Sequence, residues 1–156
     1  MSIETPEQEQ DQGQRVEIRR VRDARELAAA MRVRRQVFCE EQGVSVRDEV
    51  DGRDPEGLHL VATIDGTVVA TCRIVFVGSS AQFSRLAVTK EHRHKGIATM
   101  LLERTDAESR SAKAKRIVLH AQTYALPLYE ATGYKSNGSV FYDSGIEHIA
   151  MEKRLG

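Results

Sequence analysis

The stretch Arg85-Leu86-Ala87-Val88-Thr89-Lys90-Glu91-His92-Arg93-His94-Lys95-Gly96-Ile97-Ala98 carries the clearest chemistry in this chain. An apolar run ends at Val88, a basic loop follows, and Gly96 opens a helical pattern. The first N–H groups of a helix have no partner within it, and its dipole leaves that end positive, so the junction suits an anion. Gly96 and Ala98 lack bulk and let a phosphate approach the main chain. Lys90, Arg93, His94 and Lys95 add donors and positive charge. The ligand class implied is phosphate-bearing. The spacing is not that of a P-loop, because no Gly lies five residues before Gly96 and no Lys-Ser/Thr follows it. The three glycines of a dinucleotide fingerprint are missing too. The alternative is a solvated basic loop that caps an ordinary helix.

The elements that must position this loop follow from periodicity and turn residues. Val16-Glu17-Ile18 alternates as a short strand. Asp23 and Glu26 have capping-box spacing, so a helix should follow, with Leu27, Met31, Arg34 or Arg35, and Phe38 along one side and its end at Gly43. Residues 44–57 read as a loop. Leu58–Ile64 and Thr67–Val77 read as strands joined by the hairpin turn Asp65-Gly66. A third strand runs from Ala81 to Val88. Residues 96–111 form an amphipathic helix with Ile97, Met100, Leu101 and Leu102 inward. Ile117–Leu119 reads as a buried parallel strand, Leu126–Thr132 as a short helix stopped by Gly133, and the remainder as two strands about Ser144-Gly145. The order is α+β.

Composition narrows the function classes. The 156 residues balance 23 Lys+Arg against 23 Asp+Glu, so no global charge favours DNA or an anionic membrane. The charges lie in blocks: residues 40–57 hold seven acids and two bases, and residues 85–116 hold nine bases and four acids. The Arg-rich stretch 19–35 lacks the aromatic platform of a nucleic-acid binder. No apolar run approaches the ~20 residues of a membrane span. Residues 1–14 are polar and read as a disordered tail without signal-peptide character. Cys39 and Cys72 are too few for a disulfide scaffold or a cysteine zinc site. A cytoplasmic protein of one domain over residues 15–156, with no metal, is expected.

Arg93-x-x-Gly96-x-Ala98, placed after Leu86-Ala87-Val88, resembles the acetyl-CoA signature R/Q-x-x-G-x-G/A of the GNAT N-acetyltransferase superfamily. Tyr129-Glu130-Ala131-Thr132-Gly133-Tyr134 resembles the family's second landmark, an aromatic-rich helix ending in Gly-Phe/Tyr. Val37-Phe38-x-Glu40-Glu41-Gln42, Asp51-Gly52-x-Asp54, His120-Ala121-Gln122 and Gly145-Ile146-x-His148-Ile149 are similar to the small bacterial ElaA-like branch. The resemblance covers about residues 15–155. It implies a mixed central sheet with splayed parallel strands, flanked by helices. It implies acetyl-CoA as cosubstrate, with the pantetheine arm on main-chain groups of Leu86, Ala87 and Val88. The pyrophosphate would lie on the N–H groups of Arg93, His94, Lys95, Gly96, Ile97 and Ala98, with Thr99 nearby.

Moving an acetyl group from a thioester to an amine needs a neutral amine, a polarised carbonyl and a protonated leaving thiolate. An alkyl ammonium has a reference pKa near ~10.4, so deprotonating it at pH 7 costs roughly 4.6 kcal/mol. A base is therefore useful. A main-chain N–H at the Val88 end could hold the carbonyl oxygen. The resemblance makes Tyr129 the acid that protonates the CoA sulfur. Bases are His120, at the end of an apolar strand, and Glu41, which faces the acceptor in that branch. Gln42 is an acceptor-binding candidate, and Arg73 either faces the acceptor or is solvated on the other face. The acceptor implied is a small-molecule or peptide amine, and the acidic block 40–57 would attract it if cationic. Monomer and homodimer both remain open. The reading from a different class is a non-catalytic acetyl-CoA-binding sensor or interaction module.

Overall fold

The computed structural model describes residues 9–10 and 14–156, which fall into two compact units. The first holds the described residues up to Arg73 together with Arg85–Leu101, and the second holds Ile74–Ser84 together with Leu102–Gly156. Most of the stretch read as a tail lies outside the described residues. Within it, β1 (Glu9–Gln10) pairs antiparallel with β2 (Gln14–Arg20).

In the first unit, β2 pairs antiparallel with β3 (Leu58–Ile64) from Val16↔Ile64 to Arg20↔Leu60. The Asp65-Gly66 turn has both residues at positive φ, 51° and 80°, as a tight hairpin requires, and it leads into β4 (Thr67–Val77). α1 (Ala24–Arg34) starts where Asp23 accepts a hydrogen bond from the Glu26 N–H at 2.9 Å. Glu26 returns the contact to the Arg22 N–H at 3.0 Å, one residue before the cap. The helix then widens into a π-helix, Arg35–Glu41, in which the Gln42 N–H reaches Val37 O. The inward stripe is Ala30, Val33, Arg34 and Val37, while Leu27, Met31 and Phe38 are only partly covered. Val33 and Val37 pack on Ala87, with Phe38 and Val68 around them. Residues 44–57 are more ordered than a plain loop: α2 (Val46–Glu49) is capped by Ser45, and a 3-10 turn spans Asp54–Glu56.

β5 (Ser80–Val88), which belongs to the second unit only as far as Ser84, begins parallel to β6 (Arg116–Gln122). Their register covers Ser80↔Arg116 to Gln82↔Val118, and β5 runs on to Val88 beyond it. β6 is longer than its apolar centre predicts, because β9 (Ile146–Arg154) pairs antiparallel with all of it. α3 (Ile97–Ser111) buries Ile97, Met100, Leu101 and Leu102, as its periodicity predicts. α4 (Leu126–Ala131) ends before Gly133, which has φ +100°. β7 (Lys135–Ser136) and β8 (Phe141–Asp143) both pair with β9. Among the described residues, no helix is long and apolar enough to cross a membrane.

Candidate active site

The loop after β5 is built from its main chain outward. The Thr89 N–H donates to Val69 O at 2.9 Å, and the Thr89 hydroxyl bonds His92 Nδ1 at 2.8 Å. A 3-10 turn over Lys90–His92 follows. His94 and Gly96 both take left-handed φ, +62° and +82°. Alternation of left- and right-handed residues turns successive N–H groups to one side, which makes a concavity for an anion. The first helical bond of α3 runs from the Met100 N–H to Gly96 O, at 3.1 Å. The N–H groups of Ile97, Ala98 and Thr99 therefore precede it and are not used by the helix. Ile97 is buried and anchors the turn, whereas His94 and Gly96 are exposed.

Arg93 joins two residues assigned separate roles by sequence. Its Nε donates to Val88 O at 2.9 Å and its Nη2 to Glu41 Oε1 at 2.5 Å. Glu41, the base candidate at the end of the π-helix, is thus tied to the last residue of β5. Gln42 caps the π-helix through its own N–H.

Arg73 is neither solvated nor open: it is 3% exposed. It grips both Asp51 oxygens at 2.8 Å and Asp54 at 2.9 Å. Arg34, 1% exposed, bonds Glu49 at 2.6 Å and Asp54 at 2.8 Å. Arg85 bonds Glu49 O and Asp51. Of the seven acids in the block 40–57, Glu41, Glu49, Asp51, Asp54 and Glu56 sit in ion pairs, while Glu40 and Asp48 are exposed. The Arg73 hydrogen bonds hold Asp51 well below the usual carboxylate range, against burial. Burial alone would raise Asp54, but the Arg34 and Arg73 hydrogen bonds outweigh it and lower it. Desolvation, then the neighbouring Arg73 charge, lower Arg85. Sequence reasoning missed Arg34, Glu49 and Arg85 as site-building residues. The only hint was the Asp51-Gly52-x-Asp54 pattern.

The second unit carries two separate aromatic groups. Tyr129 on α4 is 7% exposed. It meets Phe83 edge-on, with centroids 6.4 Å apart, and Tyr134 at 5.9 Å. His120 belongs to the other group: it is exposed on β6 and edge-on to Phe141 at 5.0 Å. Phe141 in turn stacks on His148 at 5.8 Å. His148 Nδ1–H donates to Ile146 O at 2.7 Å, which fixes its tautomer and gives it a packing role. Cys72 is buried, and burial pushes the Cys39 thiol up, away from a reactive thiolate. Among the described residues, no group of three or more His, Cys, Asp or Glu could hold a metal.

A family model described as acetyltransferase (GNAT) domain matches residues 17–155, which include residues of both units. An uncharacterized N-acetyltransferase of Bacillus subtilis, YjcF, is 30% identical over 129 residues, 82% of this chain and 92% of that one. Escherichia coli ElaA has the same fold, with a TM-score of 0.80 at 22% identity over 89% of this chain and 99% of its own. The PaiA N-acetyltransferase of Thermoplasma acidophilum, solved with coenzyme A, aligns with a TM-score of 0.69 at 18% identity, over 90% of this chain and 99% of its own.

Proposed function

Because the chain belongs to the GNAT acetyltransferase family, we propose that it transfers acetyl from acetyl-CoA to an amine by direct attack. The observation that carries this reading is the turn at His94–Gly96, whose two left-handed residues open a 15-residue helix with unused N–H groups. In this reading the pyrophosphate lies on the N–H groups of residues 93–98, with Thr99 beside them. Main-chain groups of Leu86–Val88 hold the pantetheine arm, and an N–H there polarises the thioester carbonyl. Such a fixed donor acts where charge develops, so it lowers the barrier rather than only binding substrate. The PaiA structure, which holds coenzyme A on the same fold, supports this choice of cosubstrate.

The remaining steps are proton transfers. The amine loses a proton to a base, and its nitrogen attacks the carbonyl carbon. The C–S bond then breaks, and the thiolate takes a proton. Tyr129 supplies that proton, since a Tyr hydroxyl is still protonated at pH 7. His120 takes the amine proton, directly or through water; its exposed ring leaves it open to solvent. Glu41 is kept for loop geometry by its bond to Arg93, and Arg73 acts as a brace beneath the acceptor side. Gln42 remains the acceptor-binding candidate.

Calorimetry with acetyl-CoA, followed by free-thiol release with a panel of amines, tests the reading. Binding with amine-dependent thiol release is expected. Binding without release from any amine, unchanged in Tyr129→Phe, would make the chain a sensor or interaction module instead.

A further inference from the structure

We propose that the ionic lattice of Arg34, Glu49, Asp51, Asp54 and Arg73 is a positioning device, which holds Arg85 in a left-handed turn and so aims the main chain of Leu86–Val88. The inference rests on the reading that this segment takes the acyl cosubstrate. Arg85 sits inside β5 with φ +61°. A non-glycine residue there is uncommon and costly inside a strand, so the surroundings must hold it. They do so here through the side chain. Arg85 donates to Glu49 O from Nε at 3.2 Å and from Nη2 at 2.9 Å. Its Nη2 also reaches Asp51 Oδ2 at 3.2 Å, and its Nε lies 3.3 Å from the Glu49 carboxylate.

Each partner is fixed in turn. Asp51 is held on both oxygens by Arg73, Glu49 is held by Arg34, and Asp54 bridges Arg34 and Arg73. Thus one short loop, residues 49–54, engages arginines from α1, β4 and β5 at once. Gly57 leaves the room this needs: a Cβ there would stand 2.9 Å from Arg73 Cγ. The His59 Nε2–H donates to Asp54 O at 3.0 Å and pins the loop's end. Beyond the turn, Ala87 is locked against Val33 and Val37. Residues 85 and 87 are therefore fixed by unlike forces, and the backbone between them has one setting. Buried ion networks are often no more stabilising than apolar packing, so directional control is the property that distinguishes this one.

The test separates the turn from the guanidinium. Glycine takes φ near +60° without a side-chain clash, whereas alanine does not. In the full chain, Arg85→Ala should lower kcat for thiol release about tenfold or more, and Arg85→Gly should recover most of that loss. Asp51→Asn should lose activity as Arg85→Ala does, and adding Arg85→Gly to it should restore it. Thermal unfolding confirms that each variant is folded, and if Arg85→Ala is not, the Asp51 pair carries the same contrast. Equal losses in the Gly and Ala variants, or wild-type kinetics in a folded Arg85→Ala, would overturn the inference. A wild-type chain that neither binds nor turns over acetyl-CoA removes the functional reading itself.

Discussion

Tyr129 is the residue whose assignment costs least to test. Its ring meets Phe83 and Tyr134 edge-on, so Tyr129→Phe keeps the apolar contacts and removes one oxygen. As the acid for the leaving thiolate, it should lower kcat by about 10²–10⁴-fold when lost, with acetyl-CoA affinity unchanged by calorimetry. Unchanged kcat would return Tyr129 to the core. Gly96 makes the matching test for binding. Its φ of +82° is costly for a β-branched residue, so Gly96→Val should weaken acetyl-CoA binding about tenfold or more, with Tyr129-dependent chemistry intact at saturation. Equal affinity for the wild type and this variant would remove the helix start from the cosubstrate site. The Arg93–Glu41 bond also changes how a neighbouring motif is read. The Phe-x-Glu-Glu-Gln stretch gives the type and place of Glu41, but its partner lies 52 residues on, where no local pattern reaches.

The loop of residues 44–57 is the element where sequence and structure diverge most. Its Gly, Pro and acidic residues are those of a solvated loop, and the acids invite an electrostatic role. The structure instead uses three of them, Glu49, Asp51 and Asp54, as anchors for arginines from α1, β4 and β5. The same interaction explains the shifted face of α1. The stripe expected through Leu27, Met31, Arg34 or Arg35, and Phe38 keeps its three apolar members only partly covered, and Arg34 is buried because Glu49 and Asp54 neutralise and hydrogen-bond it. Hairpins were legible because Asp65-Gly66 and Ser144-Gly145 take positive φ, a requirement visible in residue type. The extent of β6 was not, since Arg116 pairs with both β5 and β9 and His120 belongs to the strand through its pairing with β9. The loop's acids also set an acid limit. Asp51 and Asp54 are lowered in the fold from a reference of 3.8, so they stabilise fully above that value. As pH falls below it, the unfolded chain binds these protons first and the stabilisation is lost. Urea unfolding at pH 7 and near pH 3 should show the midpoint falling steeply for the wild type and less for Asp51→Asn. Equal slopes would mean that the lattice does not contribute to stability.

At the scale of the whole molecule, a formal charge of zero conceals a division of labour. The basic excess of residues 85–116 includes the turn proposed to bind the pyrophosphate, and Glu49, Asp51 and Asp54 of the acidic block are paired with arginines within the fold. Neutrality therefore argues against polymer nucleic acid without arguing against a small polyanion. The order of motifs made the family legible, because the loop signature and the Tyr129 helix each need only local residues. The ion lattice needed the folded chain. The claim at the centre is transfer of an acetyl group from the CoA thioester to nitrogen. It is tested most directly by incubating the chain with acetyl-CoA and an amine panel, then measuring free thiol and product mass together. The account predicts at least one amine that gains a single acetyl group in step with thiol release. Thiol release with free acetate and no acetylated amine would contradict it.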